Sequence, residues 1–192
     1  MAKKRLGPTT NLFPMPAVLV AVKTGKNSAN ILTVAWCGIV GGNPPMIALE
    51  IGSNHYSTSF IEREGCFTVN VPRSGQVAGV DYCGLVSGAT DPDKPATCGW
   101  TMVNATQISA PLIAECPLNL ECRVVKKVGT GGGTFYLAEI LETHVDEEAL
   151  AGPNKINAGA LDPLIFTPDG FYYKLGERIA KAWDASKALR KP

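Results

Sequence analysis

Apolar and polar positions alternate with a period of two over much of the first half of the chain, the spacing of β-strands. Ala17 to Lys23 is a short β-branched apolar run, ended by the turn-forming Thr24-Gly25-Lys26-Asn27. Asn30 to Cys37 follows as a second strand. Ile31, Thr33, Ala35 and Cys37 fall on one face, and Leu32, Val34 and Trp36 on the other. Both faces carry apolar bulk, so this strand is expected to be buried on both sides, with Trp36 in the core. Gly41-Gly42-Asn43-Pro44-Pro45 is a turn and Met46 to Ile51 the next strand. A helix is predicted from about Ser57 to Glu64, with Ser59 and Glu62 as a capping box and Gly65 at its C′ position. Cys66 to Val71 returns to strand and Pro72 stops it. Ser74 to Val86 is helix-compatible, and Ser87 to Gly99 reads as a Gly-, Asp- and Pro-rich loop.

The second half predicts a long hairpin, Leu118 to Val128 and Thr134 to Glu142, joined by Gly129-Thr130-Gly131-Gly132-Gly133. Pro163 to Phe166 pairs back with Phe171-Tyr172-Tyr173 across the turn at Pro168-Asp169-Gly170. A basic amphipathic helix is predicted from about Glu177 to Leu189. Six or more strands with a few short helices define an α+β, mainly β, class and a closed or partly closed barrel.

Composition narrows the picture. The 192 residues favour one domain spanning the whole chain, with 1–12 as an N-terminal tail and 176–192 as a C-terminal extension. At 45% hydrophobic and 18% charged the chain is not disordered. A net charge of +1, from 18 basic and 17 acidic residues, removes the electrostatic footprint of a nucleic-acid binder. No apolar run approaches the roughly 20 residues of a spanning helix. Pro8, Pro14 and Pro16 interrupt any signal peptide after Lys3-Lys4-Arg5, so a cytoplasmic protein with reduced thiols is expected. The six cysteines contain no C-x-x-C pair, which excludes zinc-ribbon and ferredoxin spacing.

Four stretches invite chemistry. The glycines at 129–133 fail the dinucleotide fingerprint, since its last Gly falls on Thr134, and they lie between strands; a hairpin turn is the reading. His55 and His144 have no G-x-S-x-G nucleophile to serve. Cys83 lies near the end of a predicted helix and ahead of Lys94: a nearby cation would make it reactive, while packing under a loop would leave it inert. The richest cluster is Gly52-Ser53-Asn54-His55-Tyr56-Ser57-Thr58-Ser59, four Ser or Thr residues where a strand leads into a helix. It reads either as a phosphate cradle or as an over-supplied helix cap. Asn30, Thr33 and Trp36 form a second group, on a strand that can hydrogen-bond a flat heteroaromatic edge or simply sit in the core.

Taken in order, Asn30-x-x-Thr33-x-Ala35-Trp36-Cys37, Pro44-Pro45, Tyr56-Ser57-Thr58 and Gly65-x-Phe67-x-x-Asn70-Val71-Pro72 resemble the flavin reductase-like FMN-binding family. Cys83-Gly84-x-x-Ser87-Gly88 with Asp93-Lys94, and Pro163-Leu164-Ile165-Phe166 with Tyr172-Tyr173-x-Leu175-Gly176, are similar to its flavoredoxin-like branch. The resemblance implies a split β-barrel that forms a homodimer and holds FMN non-covalently. It assigns the flavin ring to Asn30, Thr33, Val34, Ala35, Trp36 and Cys37, and the phosphate to Ser53, Asn54, His55, Tyr56, Ser57 and Thr58. Phe67, Asn70, Val71 and Pro72 would flank the ribityl chain or ring. Cys83, Gly84, Ser87, Gly88 and Lys94 would close over the cofactor, and Tyr172 would cover it. Asn54 and His55 stand where many relatives carry Arg, which leaves the phosphate to backbone N–H groups at that point.

With FMN supplying the redox chemistry, no acid, base or nucleophile is required of the chain, and none is assigned beyond Cys83 as an accessory thiol. The implied function is electron transfer from NAD(P)H, bound transiently, or from a redox partner protein to an acceptor. The alternatives are a flavin reductase that releases FMN as a substrate, and a non-enzymatic split-barrel binding module.

Overall fold

The computed structural model describes residues 1–190. Twelve strands follow in chain order: β1 (Met15–Pro16), β2 (Val18–Lys23), β3 (Ala29–Val34), β4 (Cys37–Gly42), β5 (Pro45–Gly52), β6 (Cys66–Val71), β7 (Met102–Val103), β8 (Leu112–Ile113), β9 (Leu118–Gly129), β10 (Gly133–Val145), β11 (Ile165–Thr167) and β12 (Phe171–Tyr173). The helices are α1 (Thr58–Glu64), α2 (Val77–Leu85), α3 (Lys94–Thr97) and α4 (Ala158–Leu161). Seven strands form one antiparallel sheet in the order β3-β2-β6-β9-β10-β5-β4. β3 and β4 are its opposite edges, yet only Ala35 and Trp36 connect them. A flat seven-stranded sheet would separate those edges by about 29 Å. The linking residues reach about 11 Å at most. The sheet therefore rolls up, and the Glu50 N–H donates to the Trp36 carbonyl (3.0 Å), carrying the β4–β5 ladder into the corner.

This corrects two expectations. The strand predicted over Asn30 to Cys37 ends at Val34, and Cys37 begins the next strand, because the apolar run continues through the corner where the backbone changes edge. Trp36 is 51% exposed and not in the core.

The pattern of β2 builds two cores at once. Val18, Val20 and Val22 point into the barrel with Leu32, Leu49, Phe67 and Tyr136. Ala17, Leu19 and Ala21 point outward to Ile31, Val80, Trp100 and Leu164. β6 is likewise buried on both faces: Phe67 and Val69 face the barrel, whereas Thr68 and Asn70 are fully buried polar residues. The Asn70 amide donates to the Leu19 carbonyl (3.0 Å) and Thr68 Oγ1 (3.0 Å), and its Oδ1 accepts from Ile113 N–H (3.0 Å) and Asn119 Nδ2 (2.8 Å). α1 ends at Gly65 in the left-handed region (φ 66°), as predicted. The Ser59/Glu62 capping box does not form; Ser57 is the N-cap, and Glu62 pairs with Lys127 and accepts from Tyr136 Oη (3.1 Å).

The predicted C-terminal helix is absent. Beyond β12 the chain runs without regular structure to short turns and a single 3₁₀ turn at Lys187–Leu189. Ile179, Trp183 and Leu189 are 97%, 85% and 85% exposed, so the apolar stripe packs against nothing among the described residues. No helix among the described residues is long and apolar enough to cross a membrane.

One buried carboxylate ties an irregular segment to the barrel. Glu121 Oε1 accepts from the Thr106 N–H (2.8 Å) and hydroxyl (2.9 Å) and lies 2.7 Å from His144 Nε2, while Oε2 accepts from Gln107 N–H (2.6 Å). Burial pushes its pKa up, but the bonds from Thr106, His144 and Gln107 prevail and hold it at about 2, against an ordinary 4.5. The ionised form thus contributes stability in full above pH 4.5 and loses it as pH falls towards 2. Glu121→Gln is expected to lower the unfolding free energy by about 2–3 kcal/mol at neutral pH, measured by urea denaturation. The gap to the parent protein should narrow steadily as the pH is taken down from about 5 to about 2.

Candidate functional site

The join between the sheet edges opens into a groove made of two cavities that share Leu32 and His55. The larger, about 450 Å³, is lined by Leu32 to Trp36 on one side and by Glu50, Ile51, Gly52, His55 and Gly132 on the other. β3 has a strand partner on one side only, so every second residue along it turns its N–H and C=O away from β2. The smaller cavity, about 230 Å³, lies between Asn30 and Asn54 to Ser57 on one wall and Cys83 to Gly88 with Lys94 on the other.

Packing against the outer face of β3 positions the second wall. Thr33 Oγ1 donates to the Val80 carbonyl (2.5 Å), docking α2 onto the strand, and Gly84 sits over the Thr33 side chain. The Thr33 hydroxyl proton is therefore spent on the fold. The loop after α2 is stapled by Asp91, which accepts from Tyr82 Oη (2.9 Å), Thr97 Oγ1 (2.9 Å) and Asp93 N–H (3.0 Å). This brings Lys94 underneath the loop, 1% exposed. Among the described residues its ammonium makes one hydrogen bond, to the Val86 carbonyl (2.7 Å), and no ion pair. Burial pushes the Lys94 pKa down, with Cys83, Cys98 and Asp91 opposing.

Asn30 closes the same cavity from the strand side. Its Nδ2 donates to Ser57 Oγ (2.7 Å), and its buried Oδ1 has no partner among the described residues. Gly88 presses on that amide: a Cβ there would stand 2.2 Å from Asn30 Oδ1 and 2.6 Å from the Tyr56 ring. The hydroxyl cluster contributes otherwise than a helix cap would. Ser53 and Thr58 Oγ donate at 3.3 Å to the carbonyls of Gly132 and Gly52, and Ser59 at 3.4 Å to Tyr56. Such long bonds are readily exchanged for those of a ligand.

The structure brings Asn30, Thr33, Val34, Ala35, Trp36, Asn54, His55, Tyr56, Ser57, Cys83, Gly84, Ser87, Gly88 and Lys94 to one groove. Other residues singled out in the sequence lie elsewhere. Phe67 is fully buried in the barrel, where Cys37 and Val71 also pack, and burial pushes the Cys37 thiol up to about 12. Asn70 spends its amide on the backbone network of the fold, and Pro72 is buried with its carbonyl accepting from Leu164 N–H (3.1 Å). Ser53 and Thr58 border the groove through backbone contacts without lining either cavity. Tyr172 packs on Phe166 and donates to Asp81 (3.2 Å), away from both cavities. Sequence reasoning missed Glu50 and Gly132. The last arrives from the distant β9–β10 turn, held by Ser53 N–H donating to its carbonyl (3.1 Å).

The rolled sheet with an open join, an outer helix layer and a groove at the join is the split-barrel fold. Residues 10–174 match the family model described as flavin reductase like domain, and the chain belongs to that family. Two solved structures superpose over nearly the whole chain. Flavoredoxin from Methanosarcina acetivorans has a TM-score of 0.90 at 34% identity, covering 98% of this chain and all of its own. Flavoredoxin of Desulfovibrio vulgaris (Miyazaki F) has a TM-score of 0.90 at 34% identity, covering 97% of this chain and all of its own. An uncharacterised protein of Archaeoglobus fulgidus is 35% identical over 136 residues, 70% of this chain and 75% of the relative.

The two glycines of the smaller cavity should respond oppositely to a methyl group. Gly84→Ala meets Thr33 Cβ at an ordinary 3.5 Å within a helix and is expected to raise stability by about 0.5–1 kcal/mol. Gly88→Ala must displace Asn30 or the loop and should cost about 1–3 kcal/mol. Chemical denaturation of both variants measures the contrast.

Proposed function

We propose that this chain is a flavoredoxin-like redox protein that holds FMN non-covalently in the groove and passes electrons through it to an acceptor. The observation that carries the reading is the pairing, in one cavity, of a buried ammonium that has a single neutral acceptor with a buried amide oxygen that has none. Burying a charge is costly unless an anion or several hydrogen bonds compensate it. A phosphate-bearing ligand with hydroxyl groups answers both needs. The 34% identity with two flavoredoxins over nearly their whole lengths supports FMN as that ligand.

In this reading Lys94, Ser87 and the turn from Asn54 to Ser57 hold the phosphate end, and Lys94 supplies the cation that the Asn54-His55 turn lacks. Asn30 Oδ1 would accept from a hydroxyl of the flavin's side chain. The backbone of Thr33 to Trp36, with Gly52 and Gly132, would hold the ring. When bound, the flavin supplies the hydride and electron chemistry. The chain's own part is to orient it, neutralise its phosphate and exclude water from its buried face.

A second copy of the chain is part of the same proposal. Trp36, at the larger cavity, and Ile39 and Val40, further along the β4 edge, are 51%, 66% and 57% exposed, and a homodimer covering them would wall the open groove. NAD(P)H or a redox partner protein is the proposed electron source, and a partner or small-molecule acceptor the destination.

The purified protein mixed with FMN and desalted should retain flavin absorbance that bleaches on addition of NAD(P)H or a chemical reductant. Flavin that washes away but turns over with NAD(P)H would instead favour a reductase using it as a substrate. Lys94→Met should weaken FMN binding roughly 10- to 100-fold, the contribution of a charge-assisted contact. Fluorescence titration reads this directly, and riboflavin, lacking the phosphate, should bind parent and variant alike.

A further inference from the structure

Cys83 and Cys98 are the one pair of cysteine sulfurs in hydrogen-bond contact among the described residues, 3.9 Å apart. Cys83 lies in α2, 2% exposed, and lines the smaller cavity of the groove. Cys98 follows α3, is half-buried, and faces a separate outer cavity of about 250 Å³ with Gly75, Gln76, Ala78, Gly79 and Trp100. The pair therefore stands as a partition between two cavities. Its surroundings hold the second sulfur in place: a Cβ at Gly79 would meet the Trp100 ring at 2.6 Å, so the bare glycine lets that ring lie on α2. Gly99, with φ 70°, turns the chain just after Cys98, and the Cys98 thiol lies 3.9 Å from the Gly79 carbonyl.

We propose that Cys83 and Cys98 form a thiol–disulfide exchange site whose substrate is a low-molecular-weight disulfide entering through the outer cavity. The Cys98 thiolate attacks one sulfur of the external disulfide, forming a mixed disulfide and expelling one thiolate, which takes up the proton lost by Cys98. The Cys83 thiolate then attacks Cys98 Sγ, closing the Cys83–Cys98 bond and expelling the second thiolate, which takes up the proton lost by Cys83. Two protein thiols are oxidised, one external disulfide is reduced to two thiols, and no other reactant is needed. The order follows from access, since Cys98 alone opens to the outer cavity. Burial raises both thiols, Cys83 to about 12, and the Lys94 ammonium opposes that rise at both sulfurs. Closure requires the sulfurs to approach from 3.9 Å to a bond of about 2 Å, a shift within reach of side-chain rotation.

The experiment needs no flavin, so it stands or falls apart from the FMN reading. The fully reduced chain is incubated with oxidised glutathione, quenched in acid and analysed by intact mass and peptide mapping. The expected product is lighter by two hydrogens, carries a crosslink between the peptides of Cys83 and Cys98, and reverts with dithiothreitol. Cys83→Ser should stall with one glutathionyl group on Cys98. Cys98→Ser should slow thiol loss roughly tenfold or more. Glutathionylation accumulating on the unsubstituted protein without a crosslink, oxidation spread over Cys37, Cys66, Cys116 and Cys122, or no reaction under native conditions would each overturn the proposal.

Discussion

A two-residue connection between the opposite edges of a seven-stranded sheet governs this molecule. Once Ala35 and Trp36 must span from β3 to β4, the sheet has to close, and the long β9–β10 hairpin has to bend with it. Register shifts at Leu137/Ala138 and Ile140/Glu142 supply that bend, as bulges do in barrels generally. Closure at a two-residue corner cannot complete the hydrogen-bond ladder, so an open join remains. The larger cavity is that join. The candidate site is thus a consequence of how the barrel closes.

The smaller cavity depends on a different constraint, the burial of β2 and β3 on both faces. Alternation in β2 places valines inside and Ala17, Leu19 and Ala21 outside. The two alanines leave room for the layer that contains α2. Docking of that layer through Thr33 and Val80 brings the 87–94 loop against Asn30 and Ser57. The fold then tolerates a buried Lys94 and an unfilled Asn30 oxygen, both unfavourable for the chain alone. Local rules broken together in one cavity mark a place where the protein is arranged for something other than its own stability.

How much of this was legible in the sequence varies with how local each feature is. The strands at 18–23 and 66–71, the hairpin and the Gly65 cap follow from alternation and turn chemistry, which are local. The hydroxyl turn and Asn30 were visible as unusual residue types at element ends. The corner at Ala35–Trp36 was not, because apolar positions continue through it while the backbone changes partner. Phe67 and Asn70 belong to a matched motif, yet the motif there reports on barrel packing and on a hydrogen-bonded asparagine pair, which spacing cannot separate from ligand contact. Glu50, Gly132 and Cys98 come from distant segments, and only three-dimensional pairing brings them in. The basic stripe after Glu177 has helical periodicity, but periodicity states which face would be buried and not whether a surface exists to bury it.

The distribution of charge connects the fold to its proposed task. A net charge of +1 over 192 residues leaves no broad field to attract an anion, so recognition has to be local. Locally, a single ammonium is buried beneath a loop, and Asp91, the carboxylate that acts on it, is held by three donors from α2, the loop and α3. Those bonds keep Asp91 out of a direct ion pair with Lys94 and at the same time fix the loop that carries the lysine. The same arrangement sets Lys94 beside the Cys83 and Cys98 sulfurs, so in the proposed roles one buried cation would serve both a phosphate at the cavity and a thiolate in its wall. An anion bound at Lys94 would weaken its pull on the Cys98 thiolate, which makes occupancy of the groove and reactivity of the thiol pair electrostatically opposed.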